Sequence, residues 1–233
     1  SSILLLMCTT AYSDNTIPVS VKSPLNFKDT LHKSEITKGN LGDLITREVW
    51  SNGSEGVVLS SGNGKKIAHN CSEYWSLKEN GGLPFTTYDI TQESFFKSTC
   101  STLKILKIAE DSKASYLPAR LSLDTLPVSL LPIVSTPDQH GITPEMVSMN
   151  DVGSNRTKVV NAPDGTWEVE FDGGRVLFTE LLRGDLDGDG IEDLLVSLSH
   201  YAIEGTYRHY SRAVLSRGKN EKVMSQKELT TLR

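Results

Sequence analysis

The stretch Asp185-Leu-Asp-Gly-Asp-Gly-Ile-Glu-Asp193 holds four aspartates within nine residues, with two glycines between them. Carboxylates this close repel one another, so a cation that neutralises them would stabilise the stretch. Ca²⁺ is bound by oxygens from carboxylates, backbone carbonyls and water. Gly188 and Gly190 can adopt a positive φ, which lets the chain fold back around an ion. The pattern predicts a calcium site with these ligands: the carboxylates of Asp185, Asp187, Asp189 and Asp193 and the carbonyl of Ile191.

The spacing of these aspartates is not that of an EF-hand, which needs a bidentate glutamate at its twelfth position, where this chain has Val196. Largely apolar segments on both sides of the loop, Arg175–Leu182 and Asp193–Ser199, predict two flanking strands. A D-x-D-x-D-G-x-x-D loop between two strands resembles the calcium loop of FG-GAP and VCBS-type repeats, the kind found in integrin α-chain propellers. Because the loop occurs once, the resemblance implies a calcium loop and not a propeller. A solvated acidic turn without an ion is the alternative interpretation.

The first residues predict export. Residues 1–13 carry no charge, contain an apolar run and end in Ala11-Tyr-Ser13, a small-x-small pattern typical of signal-peptide cleavage. We interpret them as the remnant of a signal peptide, so the protein is expected to be periplasmic or extracellular. A lipid-modified Cys8 is the alternative, which Met7 before it disfavours. No segment reaches 18 apolar residues, so no membrane span is expected.

Export bears on the cysteines. Without Cys8, the chain retains Cys71 and Cys100, an even pair in an oxidising compartment. We therefore predict a disulfide between them, with two buried thiols as the alternative.

Composition is that of a globular protein: 233 residues, 37% of them hydrophobic, and a net charge of −5. No stripe of lysine and arginine stands out, so nucleic acid is not an expected partner. We expect residues 14–233 to form a single α+β domain, with a weak boundary near 137–150 as an open alternative.

The fold class follows from local patterns. Val57–Ser60 and Lys65–Ala68 predict a β-hairpin, and Leu44–Trp50 predicts another strand. One main helix is predicted after Asp89, its N-cap, because apolar residues recur at helical spacing from Phe96 onward. From Lys158 the chain predicts an antiparallel meander of strands carrying the calcium loop at one turn, which gives the α+β class.

One segment of the meander concentrates functional side chains. We interpret it as a contact surface for a protein partner, because tyrosine and arginine dominate contact energies. The predicted partner-binding residues are His200, Tyr201, Glu204, Tyr207, Arg208, His209 and Tyr210.

These features predict an exported, calcium-stabilised binding protein without catalytic activity, for example a periplasmic inhibitor or immunity-type partner of a secreted effector. The alternative is a secreted hydrolase that uses the His200–His209 region, since two histidines and a glutamate can supply acid–base chemistry.

Overall fold

The structure is a computed structural model that describes residues 16–51, 56–62, 64–131, 141–153, 155–161, 166–205 and 208–228. The predicted signal peptide with Cys8, the partner residue Tyr207 and residues 137–140 of the suggested boundary lie outside these ranges.

Helices occur in the first half of the chain. The described residues contain three α-helices: α1 (Leu41–Thr46), α2 (Cys71–Glu79) and α3 (Thr87–Ile108). None of the described helices has the length and apolar character that crossing a membrane requires.

The strands of the described residues are β1 (Ser20–Val21), β2 (Val57–Ser61), β3 (Gly64–Ala68), β4 (Thr157–Asn161), β5 (Thr166–Phe171), β6 (Gly174–Gly184), β7 (Asp193–Ala202), β8 (Arg208–Ser216) and β9 (Ser225–Lys227). Strands β4 to β9 are hydrogen-bonded in sequence order, and β1 adds to β6 beyond the end of β5. Every pairing in this seven-stranded sheet is antiparallel, and β2 and β3 form the separate predicted hairpin. The α+β class with a C-terminal meander is confirmed.

The large sheet separates two hydrophobic clusters. On one face, the paired residues Leu182, Leu195 and Val214 pack in a cluster with α3. On the other face, residues such as Phe178 and Val196 pack with the segment between α3 and β4, which contributes Leu121, Leu126, Leu130 and Leu131 among its described residues. Both faces of the sheet centre are therefore covered.

The strand predicted at Leu44–Trp50 is wrong. Residues Leu41–Thr46 form α1, and the chain is extended only afterwards, where Val49 bridges to Phe27. The reason is the spacing of Leu41, Leu44 and Ile45: these apolar residues share one helical face, and that face packs in the cluster under α3.

The main helix is confirmed, but it begins earlier than predicted. Its N-cap is Thr86, whose Oγ1 accepts a hydrogen bond from the Asp89 N–H at 3.1 Å. Asp89 returns the contact as a capping box, because its Oδ2 accepts from the Thr86 N–H at 3.0 Å. Helix α2 was not predicted. Its signal is Asn70 followed by Glu73, a cap in which the Asn70 side chain accepts from the Glu73 N–H at 3.0 Å.

The predicted disulfide is confirmed. Cys71, the first residue of α2, is bonded to Cys100 in the middle of α3, with 5.2 Å between their Cα atoms. Both residues are fully buried. A buried disulfide fits a protein exported to an oxidising compartment.

Candidate metal centre

The acidic loop connects β6 to β7, as the sequence predicts. Gly188 and Gly190 have φ values of +86° and +83°, so the turn uses a conformation that other residues rarely adopt. The loop is thereby closed tightly enough for its carboxylates to face one another.

Asp185 organises the backbone of the loop. It is buried, its Oδ1 accepts the Gly188 N–H at 2.7 Å, and its Oδ2 accepts the Gly190 N–H at 2.8 Å. Each carboxylate oxygen has a second lone pair that remains available to a cation.

Asp193 is the most unusual residue of the loop. It is fully buried, its Oδ2 accepts the Leu186 N–H at 3.1 Å, and its Oδ1 has no hydrogen-bond partner among the described residues. Burial raises the pKa of Asp193 to about 6 and the charges of Asp187 and Asp189 add to the rise, although the Ser216 hydroxyl and the Leu186 N–H act to lower it. A buried carboxylate oxygen without a partner is costly unless a cation or a proton compensates it.

Three carboxylates converge at this point. One ligand oxygen from each of Asp185, Asp187 and Asp193 lies within 4.8 Å of the others, and of the three only Asp187 is exposed. This group can hold a metal ion. Asp189 stands beside it and supports the turn, because its Oδ1 accepts the Ile191 N–H at 2.8 Å.

The direction of the Ile191 carbonyl follows from a parallel bridge with Ala114. In that bridge the Gly190 carbonyl accepts from the Ala114 N–H at 3.2 Å, and the Glu192 N–H donates to the Ala114 carbonyl at 2.8 Å. The N–H and C=O of Ile191 itself therefore project to the side of the chain away from Ala114, where the N–H donates to Asp189 Oδ1.

A lysine from the last strand borders the site. Lys227 Nζ lies 2.7 Å from Asp187 Oδ2 and 3.3 Å from Asp189 Oδ2. Partial burial would raise the pKa of Asp187, but the Lys227 ammonium holds that pKa below its usual value. No sequence pattern indicates this contact, because Lys227 lies 40 residues from Asp187 along the chain.

The loop is also fixed to the segment that follows α3. Glu110 and Asp185 exchange backbone hydrogen bonds of 2.8 and 2.9 Å, and the Ser115 hydroxyl donates to Glu192 Oε2 at 2.6 Å. An ion in the loop would therefore brace the β6–β7 turn against the end of α3.

Of the predicted partner-binding residues, those in β7 and β8 lie at the end of the sheet opposite the acidic loop and divide between its two faces. His200 is paired with His209 on β8 and with the buried Val176 on β6, so the two histidines share the face of the second hydrophobic cluster. Their ring centroids are 6.0 Å apart. His200 Nε2 is buried without a hydrogen-bond partner among the described residues.

Tyr201, Arg208 and Tyr210 lie on the other face, beyond the end covered by α3. Tyr201 is paired with Arg208, and Tyr210 with Ser199. The Tyr201 hydroxyl donates to Glu168 Oε1 at 2.5 Å. Glu204 is exposed in the bend after β7.

Arg175 links this face to the neighbouring strand. Its guanidinium donates to Glu168 Oε1 and to Glu170 Oε2, each at 3.0 Å. Arg175 is paired with Tyr201 across β6 and β7. A row of polar side chains thus crosses three strands and fixes the position of the tyrosine. Sequence reasoning missed Glu168 and Arg175, although their alternation with apolar neighbours marks them as residues of one face.

No protein-family model matches the chain, and no significant similarity to a curated protein or to a solved structure was found. The resemblance to FG-GAP and VCBS-type repeats is therefore confined to the acidic loop, where the structure shows a carboxylate group able to hold a metal ion.

Proposed function

We propose that this protein is an exported, calcium-stabilised binding protein without catalytic activity. The observation that carries the calcium assignment is the fully buried Asp193 Oδ1, which lacks a hydrogen-bond partner among the described residues and belongs to a convergent carboxylate group. All available donors are oxygens, the ligands that calcium prefers, and the group contains neither histidine nor cysteine. The Asp189 carboxylate and the Ile191 carbonyl complete the proposed ligand set.

The ion has a structural role in this proposal. Tyr201 lies eight residues along β7 from Asp193, which corresponds to roughly 26 Å in an extended strand. His200 and His209 are similarly remote, so the ion does not activate a water molecule for them. It holds the β6–β7 turn. The opposite end of these two strands presents the polar face.

The proposed partner contacts Tyr201, Arg208 and Tyr210. Tyr210 is 52% exposed, which is high for a large aromatic residue, and Arg208 is exposed beside it. Tyrosine and arginine supply the largest contact energies in protein interfaces. Tyr207, outside the described residues, is also predicted to contact this partner. In the periplasm, such a protein would act as an inhibitor or immunity-type partner of a secreted effector.

Calcium binding is tested by calorimetric titration and by thermal melts. We expect CaCl₂ to raise the melting temperature, by the equivalent of about 2.7 kcal/mol at 100 times the Kd. The variant Asp187→Ala should lose this gain, and Asp124→Ala, an acidic residue outside the loop, should retain it. Equal melts with calcium and with chelator would refute the site.

Partner binding is tested by capture from the native compartment. The double variant Arg208→Ala/Tyr210→Ala should lose the captured protein and keep its melting temperature. Val159→Ala is the matched control, since Val159 is paired with Val169, whose side chain lies on the opposite face of the sheet. If His209→Ala instead abolished a hydrolytic activity of the intact protein, the hydrolase alternative would replace this proposal.

A further inference from the structure

The outer edge of the small hairpin is open. The Ser60 N–H donates to the Leu83 carbonyl at 2.8 Å, and the Leu83 N–H donates to the Ser60 carbonyl at 2.9 Å. On its other side Ser60 is opposite Lys65. Both backbone groups of Ser60 are already bonded to Leu83, so Ser60 and Lys65 form a pair without hydrogen bonds. The backbone groups of Lys65, and by alternation those of Ile67, therefore point away from β2.

These outward groups are available for pairing. In the described part of the chain, no hydrogen bond engages the outward N–H or C=O groups of Lys65 and Ile67. Both residues are exposed. An edge with two free donor–acceptor pairs is a template for another strand.

One face of the hairpin and of the segment beside it exposes apolar side chains. Leu83, Ser60 and Lys65 are directly opposite one another across three chain segments, so their side chains share a face with Ile67. Ile67 is 55% exposed, Leu83 62% and the nearby Phe85 75%. Phe85 joins this face through Lys65, whose ammonium lies 5.7 Å from its ring centroid.

A cleft runs beside the open edge. It has a volume of about 360 Å³ and lies between β3 and α2, lined by Lys66, Ile67, Ser72, Glu73, Ser76 and Leu77. An open strand edge with a helix alongside is the arrangement that accepts an added peptide strand, with main-chain hydrogen bonds for affinity and side-chain pockets for specificity.

We propose that the β3 edge binds an extended segment of a partner protein in which acidic and apolar side chains alternate. The backbone groups of Lys65 and Ile67 would pair with the added strand, and its apolar side chains would cover Ile67. Its carboxylates, on the opposite face, would meet Lys66, which is exposed and without a salt bridge within the described ranges, and Lys65 on the Ile67 face adds positive charge at the same edge. A second copy of the chain is a poorer occupant, because it would bring the same two lysines to the same edge. This surface is separate from the acidic loop and from Tyr210.

The test uses a labelled, end-capped peptide, Glu-Val-Glu-Val-Glu-Val, and fluorescence anisotropy with the full chain. We expect saturable binding, at least tenfold weaker for Lys-Val-Lys-Val-Lys-Val and for the acidic peptide N-methylated at every residue, which cannot donate along either edge. Lys65→Glu/Lys66→Glu should weaken binding at least tenfold, and the control Lys219→Glu/Lys222→Glu should bind like wild type. Amide exchange of Lys65 and Ile67 should slow when the peptide is bound.

Several results would overturn the proposal: no binding of the acidic peptide at millimolar concentration, equal binding of the N-methylated peptide, or equal binding of the basic one. A concentration-dependent dimer that Lys65→Glu changes, with no peptide binding, would assign the edge to a second copy instead.

Discussion

Lys227 Nζ lies 2.7 Å from Asp187 Oδ2, so the last strand of the sheet is tied to the acidic loop. Strand β9 pairs with β8 through Val214 and Lys227, which places the ammonium at the loop. Lys227 partly neutralises the exposed carboxylates, and the contact raises the pKa of the lysine. A divalent ion in the loop would therefore compete with a cation that belongs to the chain.

Replacing this lysine should strengthen calcium binding. In Lys227→Met, the carboxylates lose a competing positive charge, and we expect the Kd for calcium to fall by up to about fivefold, since exposed ion pairs contribute roughly 0.2–1 kcal/mol. Without calcium, the variant should melt at a lower temperature than wild type. Lys222→Met is the matched control, because Lys222 is 81% exposed and contacts Asp124. Equal affinities for wild type and Lys227→Met would show that the ammonium does not compete.

Asp193→Asn should change the stability in opposite directions with and without calcium. With chelator, the variant removes a buried charge that no described residue neutralises, so its melting temperature should equal or exceed that of wild type. With calcium, it removes a ligand, so it should melt below wild type. Thermal melts of both proteins, with chelator and with calcium, measure whether the order of their melting temperatures reverses. A variant less stable than wild type under both conditions would indicate a purely structural carboxylate.

The sequence predicted those features that have short-range signals. The acidic loop is defined by the spacing of its own residues, the hairpin by the turn after Ser61, and the disulfide by the even cysteine count. Other contacts of the loop depend on the tertiary fold, namely those with Lys227 and with the Glu110–Ser115 segment. No local sequence pattern predicts them. Helix α1 was missed because Leu41–Thr46 is short enough for helical and strand patterns to overlap.

The division of the partner residues between two faces could have been predicted. His200 and Tyr201 are adjacent in one strand, and successive side chains of a strand point to opposite faces. A segment treated as one surface therefore had to separate into a histidine side and a tyrosine side. What the sequence could not show is which face α3 covers, because that depends on the packing of Leu182, Leu195 and Val214.

Loss of the disulfide should destabilise the protein strongly. The bond joins residues 29 positions apart, and the chain-entropy model gives about 3.5 kcal/mol for a loop of this length. We expect Cys71→Ala/Cys100→Ala to lower the free energy of unfolding by about this amount in denaturant titrations. A reducing agent should lower the stability of the wild type in the same way and leave the double variant unchanged. Thiol reactivity in unreduced, denatured protein starting at Asp14 would contradict the bond.

The stability of the fold should decrease on acidification, in part because of His200. Burial lowers the pKa of His200, and the neighbouring His209 lowers it further. The unfolded chain, in which a histidine has its ordinary pKa of about 6.5, then binds the proton more readily than the folded one. The free energy of unfolding should fall as the pH decreases through this range, and it should fall less in His200→Gln. The measurement should be made in saturating calcium. Without an ion, the raised pKa of Asp193 would increase the free energy of unfolding as the pH falls, opposite to the effect of His200. His69→Gln, at an exposed position, should behave like wild type, and parallel curves for wild type and His200→Gln would refute the assignment to His200.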